Sequence, residues 1–153
     1  MEGIIIRKMS FEDLPHVHVI EKSCFTTPWD ISSFKYELGH NRAILMVAVF
    51  NNRIIGYVCI RTILDKTHVL NLVVLPEFRR MGIGSRLLQN GLKKLTNLRP
   101  DTGLILLEVR ESNTAAIKLY EKSGFKIKGK RAGYYQKPNE DAVIMELKIG
   151  EKL

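Results

Sequence analysis

Residues 68–95 read "HVLNLVVLPEFRRMGIGSRLLQNGLKKL". The opening eight residues are apolar and rich in valine and leucine, and they predict a strand. A turn carrying Arg79, Arg80, Gly82 and Gly84 follows directly. Beyond it Ile83, Leu87, Leu88, Leu92 and Leu95 fall at helical spacings, which predicts a helix with one buried stripe. "GLILLEV" (103–109) then reads as a near-continuous apolar strand, of the kind covered on both faces. A strand–helix–strand crossover places its two strands parallel, so this stretch predicts a parallel pair inside a larger sheet.

Working outward, "GIIIRKM" (3–9) is a short strand, and Ser10 opens a helical segment from Phe11 to about Cys24, with Glu12 and Asp13 favourable in its first turn. "FTTPWD" (25–30) breaks that helix, and "ISSFKYEL" (31–38) is a second one ending at Gly39. "AILMVAVF" (43–50), the turn "NNR" and "IIGYVCIRTIL" (54–64) read as an antiparallel hairpin. After residue 110, "NTAAIKLYEKSG" (113–124) is a helix bounded by Asn113 and Gly124. "FKIKGK" (125–130) and "AVIMELKI" (142–149) are closing strands that bracket a polar loop containing "GYYQKPNED". No linker or repeat interrupts the chain. Residues 1–153 are therefore expected to form one α/β domain, with a mixed, mostly antiparallel sheet of about seven strands and about four helices.

The bulk composition narrows the functions. With 45% hydrophobic and 26% charged residues, the chain suits an ordinary globular core. No apolar run approaches the roughly 20 residues of a membrane helix. The start, "MEGIIIRKMSFED", has too short an apolar run for a signal peptide, so a cytoplasmic location is expected. Cys24 and Cys59 are far apart and read as buried thiols. His16 and His18 fall on different helix faces, the four histidines form no ligand cluster, and no metal is expected. The net charge of +8 points to an anionic partner. The basic residues collect late, at Lys118, Lys122, Lys126, Lys128, Lys130, Arg131 and Lys137. Nucleic acid, a polyphosphate cofactor and a merely solvated basic face all remain open on composition.

The turn itself is more specific. A strand ending in a glycine turn that opens a helix aims several backbone N–H groups at one point, where the helix dipole adds positive charge. Arg79 and Arg80 add formal charge, and Gly82 and Gly84 let a ligand approach the backbone. This chemistry suits a pyrophosphate. A dinucleotide fingerprint needs a third glycine where Leu87 stands, and a Walker loop needs Lys-Ser/Thr where Ser85-Arg86 follow Gly84.

Arg79-x-x-Gly82-x-Gly84 after an apolar strand resembles the signature of the GNAT acyltransferases, which hold the pyrophosphate of acetyl-CoA in this way. "LEVRESNTAAIKLYEKSGF" (107–125) resembles the second half of that family's cofactor site. "CFTTPWD" (24–30) and "GYYQKPNEDAVIME" (133–146) resemble its RimI-type branch, the N-terminal acetyltransferases acting on ribosomal proteins. The resemblance implies a splayed central parallel pair with acetyl-CoA in the opening. Leu72, Val73 and Val74 would offer backbone groups to the pantetheine arm. Arg80, Met81, Gly82, Ile83, Gly84 and Ser85 would wrap the pyrophosphate, with Arg79 beside them. Asn113 would contact the cofactor, Tyr120 would stand near the thioester sulfur, and Glu108 would be the general base. Phe25, Pro28, Trp29, Tyr134 and Tyr135 would line the acceptor cleft. The implied partner is the N-terminus of an acceptor protein, a ribosomal one; the basic surface would serve the cofactor's phosphates and rRNA near that acceptor, and a monomer is favoured over an oligomer.

The chemistry is sound on its own terms. An α-amine of pKa about 7.7–8.0 is deprotonated near neutral pH by a carboxylate, directly or through water. A phenol can return the proton to a departing thiolate, whose thiol has a pKa of about 8.5. Each residue also has a plain structural reading: Glu108 as a solvated strand end, Tyr120 and Trp29 as core aromatics, Asn113 as a helix cap. Their joint placement beside the turn favours the site. Two rival activities stay open, a lysine side-chain or polyamine acetyltransferase and a basic nucleic-acid-binding module. A lysine amine of pKa about 10.4 demands a stronger base, and the chain lacks the interleaved aromatic and basic pattern of an RNA-binding sheet.

Overall fold

A computed structural model describes residues 3–149; Met1, Glu2 and residues 150–153 lie outside it. Seven strands form one sheet in the order β1-β2-β3-β4-β5-β7-β6. The strands are β1 (Ile4–Lys8), β2 (Ala43–Phe50), β3 (Arg53–Ile63), β4 (Lys66–Val74), β5 (Leu104–Arg110), β6 (Lys126–Tyr135) and β7 (Glu140–Lys148). The helices are α1 (Leu14–Cys24), α2 (Ile31–Leu38), α3 (Ile83–Leu98) and α4 (Thr114–Lys122). Short 3-10 turns at Phe11–Asp13 and Pro76–Phe78 lead into α1 and the glycine turn. All strand pairs are antiparallel except β4 with β5.

Local chemistry sets these boundaries. Asn51 and Asn52 both adopt positive φ, as a two-residue hairpin turn requires, and join β2 to β3. Asp30 caps α2 by accepting from the Ser33 N–H at 2.8 Å. At the first helical segment, Asp13 accepts the Ser10 N–H at 2.8 Å and pairs with Arg7 Nη1 at 2.7 Å. The apolar stripe of α3 is buried through Ile83, Leu87, Leu88 and Leu95.

Adjacent β3 residues show the two faces of the sheet. Tyr57 reaches Glu21 of α1, whereas Val58 and Ile60 pack beneath Gly91 of α3. Thus α1 and α2 cover the front of the antiparallel half, and α3 covers the back. Arg61, His68 and Leu106 are register partners across β3, β4 and β5, so Glu108, two residues beyond Leu106, also faces the front.

Three expectations change. β5 is not covered on both faces: Ile105, Leu107 and Val109 are buried, while Leu106, Glu108 and Arg110 are only half-buried. The front of β5 borders an opening rather than a helix. β6 runs on to Tyr135, so Tyr134 and Tyr135 close a strand instead of sitting in the loop. Gly133 at φ +61 and the acceptance of its N–H by Asp141 Oδ1 at 2.9 Å carry the hairpin through an irregular register. Cys59 is buried as expected, and burial pushes its thiol pKa up, but Cys24 is half-exposed.

Candidate active site

The parallel strands β4 and β5 pair only at Thr67 with Ile105 and at His68 with Leu106. Beyond that point they part. The cause lies in β4: its register with β3 passes from Cys59–Asn71 to Ile60–Val69, leaving Leu70 as an extra residue. A bulge of this kind bends the strand that carries it. The result is a V whose arms are residues 69–74 of β4 and residues 107–110 of β5.

Backbone direction decides which atoms face the opening. The Leu75 N–H donates to the Ile55 carbonyl at 2.9 Å, so in alternating strand geometry Val73 also turns its polar groups toward β3. Leu72 and Val74 turn theirs toward the V. Val73 therefore departs from its expected backbone role; its side chain is buried. The Val74 carbonyl is occupied by Arg79, whose Nε donates to it at 2.8 Å. Arg79 thus folds back on the end of β4 rather than reaching outward, and its Nη2 lies 3.9 Å from Cys24 Sγ.

The turn fits a pyrophosphate. Gly82 has φ +78, and a Cβ there would meet nothing within 4 Å, so the backbone stands open on that side. Arg80 shares the left-handed conformation at φ +64. No side chain caps the start of α3, which leaves the first-turn N–H groups of Ile83, Gly84 and Ser85 to an anion. Met81 is exposed and Ile83 buried, so these two have only backbone groups to offer a phosphate. Gly84 serves packing: its Cβ would lie 2.8 Å from Leu119 Cδ1, so glycine is what lets α3 approach α4. Asn113 caps α4 by accepting from the Ala116 N–H at 3.2 Å. Its amide nitrogen has no protein partner among the described residues.

Tyr120 is 7% exposed and meets Phe125 edge-on, with 5.7 Å between ring centres. Its hydroxyl has no hydrogen-bond partner among the described residues, yet is not sealed from solvent. Burial, reinforced by Tyr135, raises its pKa, so it holds its proton throughout the neutral range. Burial and the neighbouring Glu108 carboxylate likewise raise Tyr134. Burial, then Tyr134 and Glu108, push Tyr135 up to about 12. The two tyrosine rings stand perpendicular at 4.9 Å. Arg131 lies over Tyr134 at 5.1 Å and Arg110 over Tyr135 at 4.5 Å. Glu108 therefore faces a pair of protonated phenols held by cations.

Across the cleft, Phe25 and Pro28 are exposed and Trp29 is half-buried. Trp29 contacts Phe34 at 5.1 Å and lines a cavity of about 350 Å³ with Ser32, Ser33, Tyr36 and Glu37. It serves as both packing and wall. The hydroxyl of Thr26 donates to the Lys137 carbonyl at 2.6 Å, so the 25–30 loop touches the β6–β7 turn.

The sequence profile of the Acetyltransferase (GNAT) family matches residues 14–125. This chain belongs to the GNAT acetyltransferases. A [ribosomal protein bS18]-alanine N-acetyltransferase of Haemophilus influenzae is 35% identical over 92% of this chain and 96% of its own. The crystal structure of the ribosomal-protein-S18-alanine N-acetyltransferase from Escherichia coli superposes with a TM-score of 0.84, at 32% identity and 98% coverage of both chains. Arabidopsis thaliana NAA60 in complex with a bisubstrate analogue shares the fold, with a TM-score of 0.88 at 20% identity. As a GNAT enzyme the chain is an acetyl-CoA-dependent N-acetyltransferase. No helix among the described residues is long and apolar enough to cross a membrane.

Three residues of this GNAT site are not singled out by the sequence. Arg110 donates to the Pro138 and Gln136 carbonyls at 3.0 and 2.9 Å and pairs with Glu140 at 3.2 Å, bracing the turn behind Tyr135. Glu21 and Asn71 meet inside the protein, where the Asn71 amide donates to Glu21 Oε1 at 3.2 Å. Both left a signal. Glu21 continues the apolar stripe Leu14, Val17, Ile20 of α1, and Asn71 is a poor strand former inside an apolar run.

Proposed function

We propose that this enzyme acetylates the N-terminal α-amine of a ribosomal protein, an S18-type chain beginning with alanine, by direct attack of the amine on the thioester. The observation that carries the reading is the position of Glu108. It stands two residues past the last β4–β5 pair, on the arm of the V that parts from the strand leading into the glycine turn.

Acetyl-CoA, when bound, supplies the activated acetyl thioester. The free backbone groups of Leu72 would hold its arm as an added strand, and the turn from Arg80 to Ser85 would hold its pyrophosphate, with Asn113 at the mouth. The N–H of Val74 polarises the carbonyl being attacked. Glu108 takes a proton from the incoming ammonium, directly or through one water, and so raises the neutral amine available for attack. As the new C–N bond forms and the C–S bond breaks, Tyr120 gives its proton to the departing thiolate, and the second proton, shed by the attacking nitrogen, restores it through water. No serine or cysteine nucleophile is required.

The Thr26–Lys137 contact supports a terminal amine over a lysine side chain. It joins the two walls above the cleft, so an acceptor enters end-on instead of lying across an open groove. Phe25, Pro28, Trp29, Tyr134 and Tyr135 line that entrance. The enzyme works as a cytoplasmic monomer, and the exposed lysines of α4 and β6 approach rRNA beside the ribosomal acceptor. The test is thiol release from acetyl-CoA with three peptides: one with a free alanine N-terminus, the same peptide pre-acetylated, and the pre-acetylated peptide carrying an internal lysine. Release with the first alone is expected, and equal release with the third overturns the terminal-amine reading.

A further inference from the structure

Glu21 is 2% exposed, on the face of α1 that carries Leu14, Val17 and Ile20. Donors reach its carboxylate from three separate parts of the chain. The Tyr57 hydroxyl comes from β3, the Asn71 Nδ2 from β4 at 3.2 Å, and the Trp29 N–H from the loop before α2 at 3.0 Å. A carboxylate only accepts, so it turns the amide nitrogen of Asn71 toward itself. Asn71 Oδ1 is then buried with no partner.

Such a cluster is a poor way to gain stability. Desolvating a carboxylate and orphaning an amide oxygen both cost free energy, and apolar residues of similar shape often do as well or better. What the cluster does achieve is a fixed geometry. Asn71 stands at the β4 bulge, one residue before Leu72, where the strand begins to leave β5. Trp29 stands in the loop on the acceptor side. One side chain therefore joins the arm of the V that receives acetyl-CoA to the loop that faces it.

We propose that Glu21 is a positioning residue for the acceptor: it pins the Trp29 wall to the bulge of β4 and so fixes the acceptor entrance relative to the thioester. The inference rests on reading residues 25–30 as an acceptor wall. Glu21 touches neither substrate; it acts through Trp29 and Asn71.

Trp29 is the single tryptophan of the chain, so its fluorescence reports this wall directly. The experiment compares the full-length enzyme with Glu21→Gln, with the apolar triple variant Glu21→Leu/Tyr57→Phe/Asn71→Val, and with Trp29→Ala. Measured are KM for the alanine peptide, KM for acetyl-CoA, Tm, and acrylamide quenching of Trp29 where it is present. Glu21→Gln is expected to raise the peptide KM about tenfold and the acetyl-CoA KM less than about twofold, with stronger quenching. The triple variant is expected to match or exceed the wild-type Tm while showing the same rise in peptide KM. A wild-type peptide KM in the triple variant, with Trp29 quenched no more than before, overturns the proposal. If the triple variant does not fold, Glu21→Gln decides alone: a lower Tm with both KM values unchanged makes Glu21 purely structural. Trp29→Ala separates the two readings. An unchanged peptide KM there overturns the acceptor wall itself, whereas a raised one alongside normal Glu21 variants overturns only the role of Glu21.

Discussion

The turn from Arg79 to Ser85 is continuous in sequence and works through backbone atoms, whereas the acceptor side joins residues as distant as Thr26 and Lys137, 111 positions apart. On the cofactor side the side chains mostly stay out of the way: Gly82 leaves open space, Ile83 is buried, and Arg79 folds back on Val74. On the proposed acceptor side the side chains would be the site, with Glu108, Tyr134 and Tyr135 on one wall and Phe25 and Trp29 on the other. A backbone-built half fails when its helix is displaced, and a side-chain-built half fails one residue at a time. Substitutions on the two sides should therefore separate cofactor affinity from turnover.

The largest effect is expected at Gly84. A leucine there drives a side chain into Leu119 and levers the start of α3 away from α4. Acetyl-CoA binding by calorimetry is expected to weaken more than about a hundredfold, which is roughly 2.7 kcal/mol. Retained binding would show that the turn does not depend on the α3–α4 approach. Next, Glu108→Gln is expected to lower kcat about a hundredfold while leaving the acetyl-CoA Kd within about twofold. Equal losses in both would break the division between the halves.

Tyr120→Phe is expected to slow transfer about tenfold with little change in Tm, because the hydroxyl has no partner to lose among the described residues. A variant that melts earlier and turns over normally when folded makes Tyr120 a packing residue. The pH profile sharpens the same point. Only the neutral amine attacks, so kcat/KM is expected to fall as pH drops below about 8. Since burial raises the pKa of Tyr120, its proton stays in place on the alkaline side, and no decline is expected before pH of about 10. An earlier alkaline decline would remove Tyr120 as the proton donor. Thr26→Val is the gentlest change. Losing its bond to Lys137 is expected to raise the peptide KM about threefold, near 0.65 kcal/mol, and to leave cofactor binding untouched.

Much of the fold is legible because its elements are locally encoded. β2 and α2 begin and end where the pattern of apolar residues and caps places them. β6 is the exception. Its lysines and glycines carry no apolar alternation, and its last residues are held by pairing with β7 rather than by their own propensity. In the site, the glycine spacing is readable from seven consecutive residues, but the individual atoms are not. Val73 turns its backbone toward β3, and Arg79 bonds Val74, for reasons that depend on the neighbouring strand.

The sequence by itself determined the crossover, the anion-binding turn and the chemical types that flank it, because periodicity, glycine spacing and caps act over a few residues. Tertiary structure alone decided that a single extra residue in β4 opens the V, that Glu108 faces two raised tyrosines, and that Glu21 ties Trp29 to that strand. These are contacts between segments far apart in the chain, whose geometry exists only once the sheet has closed around them.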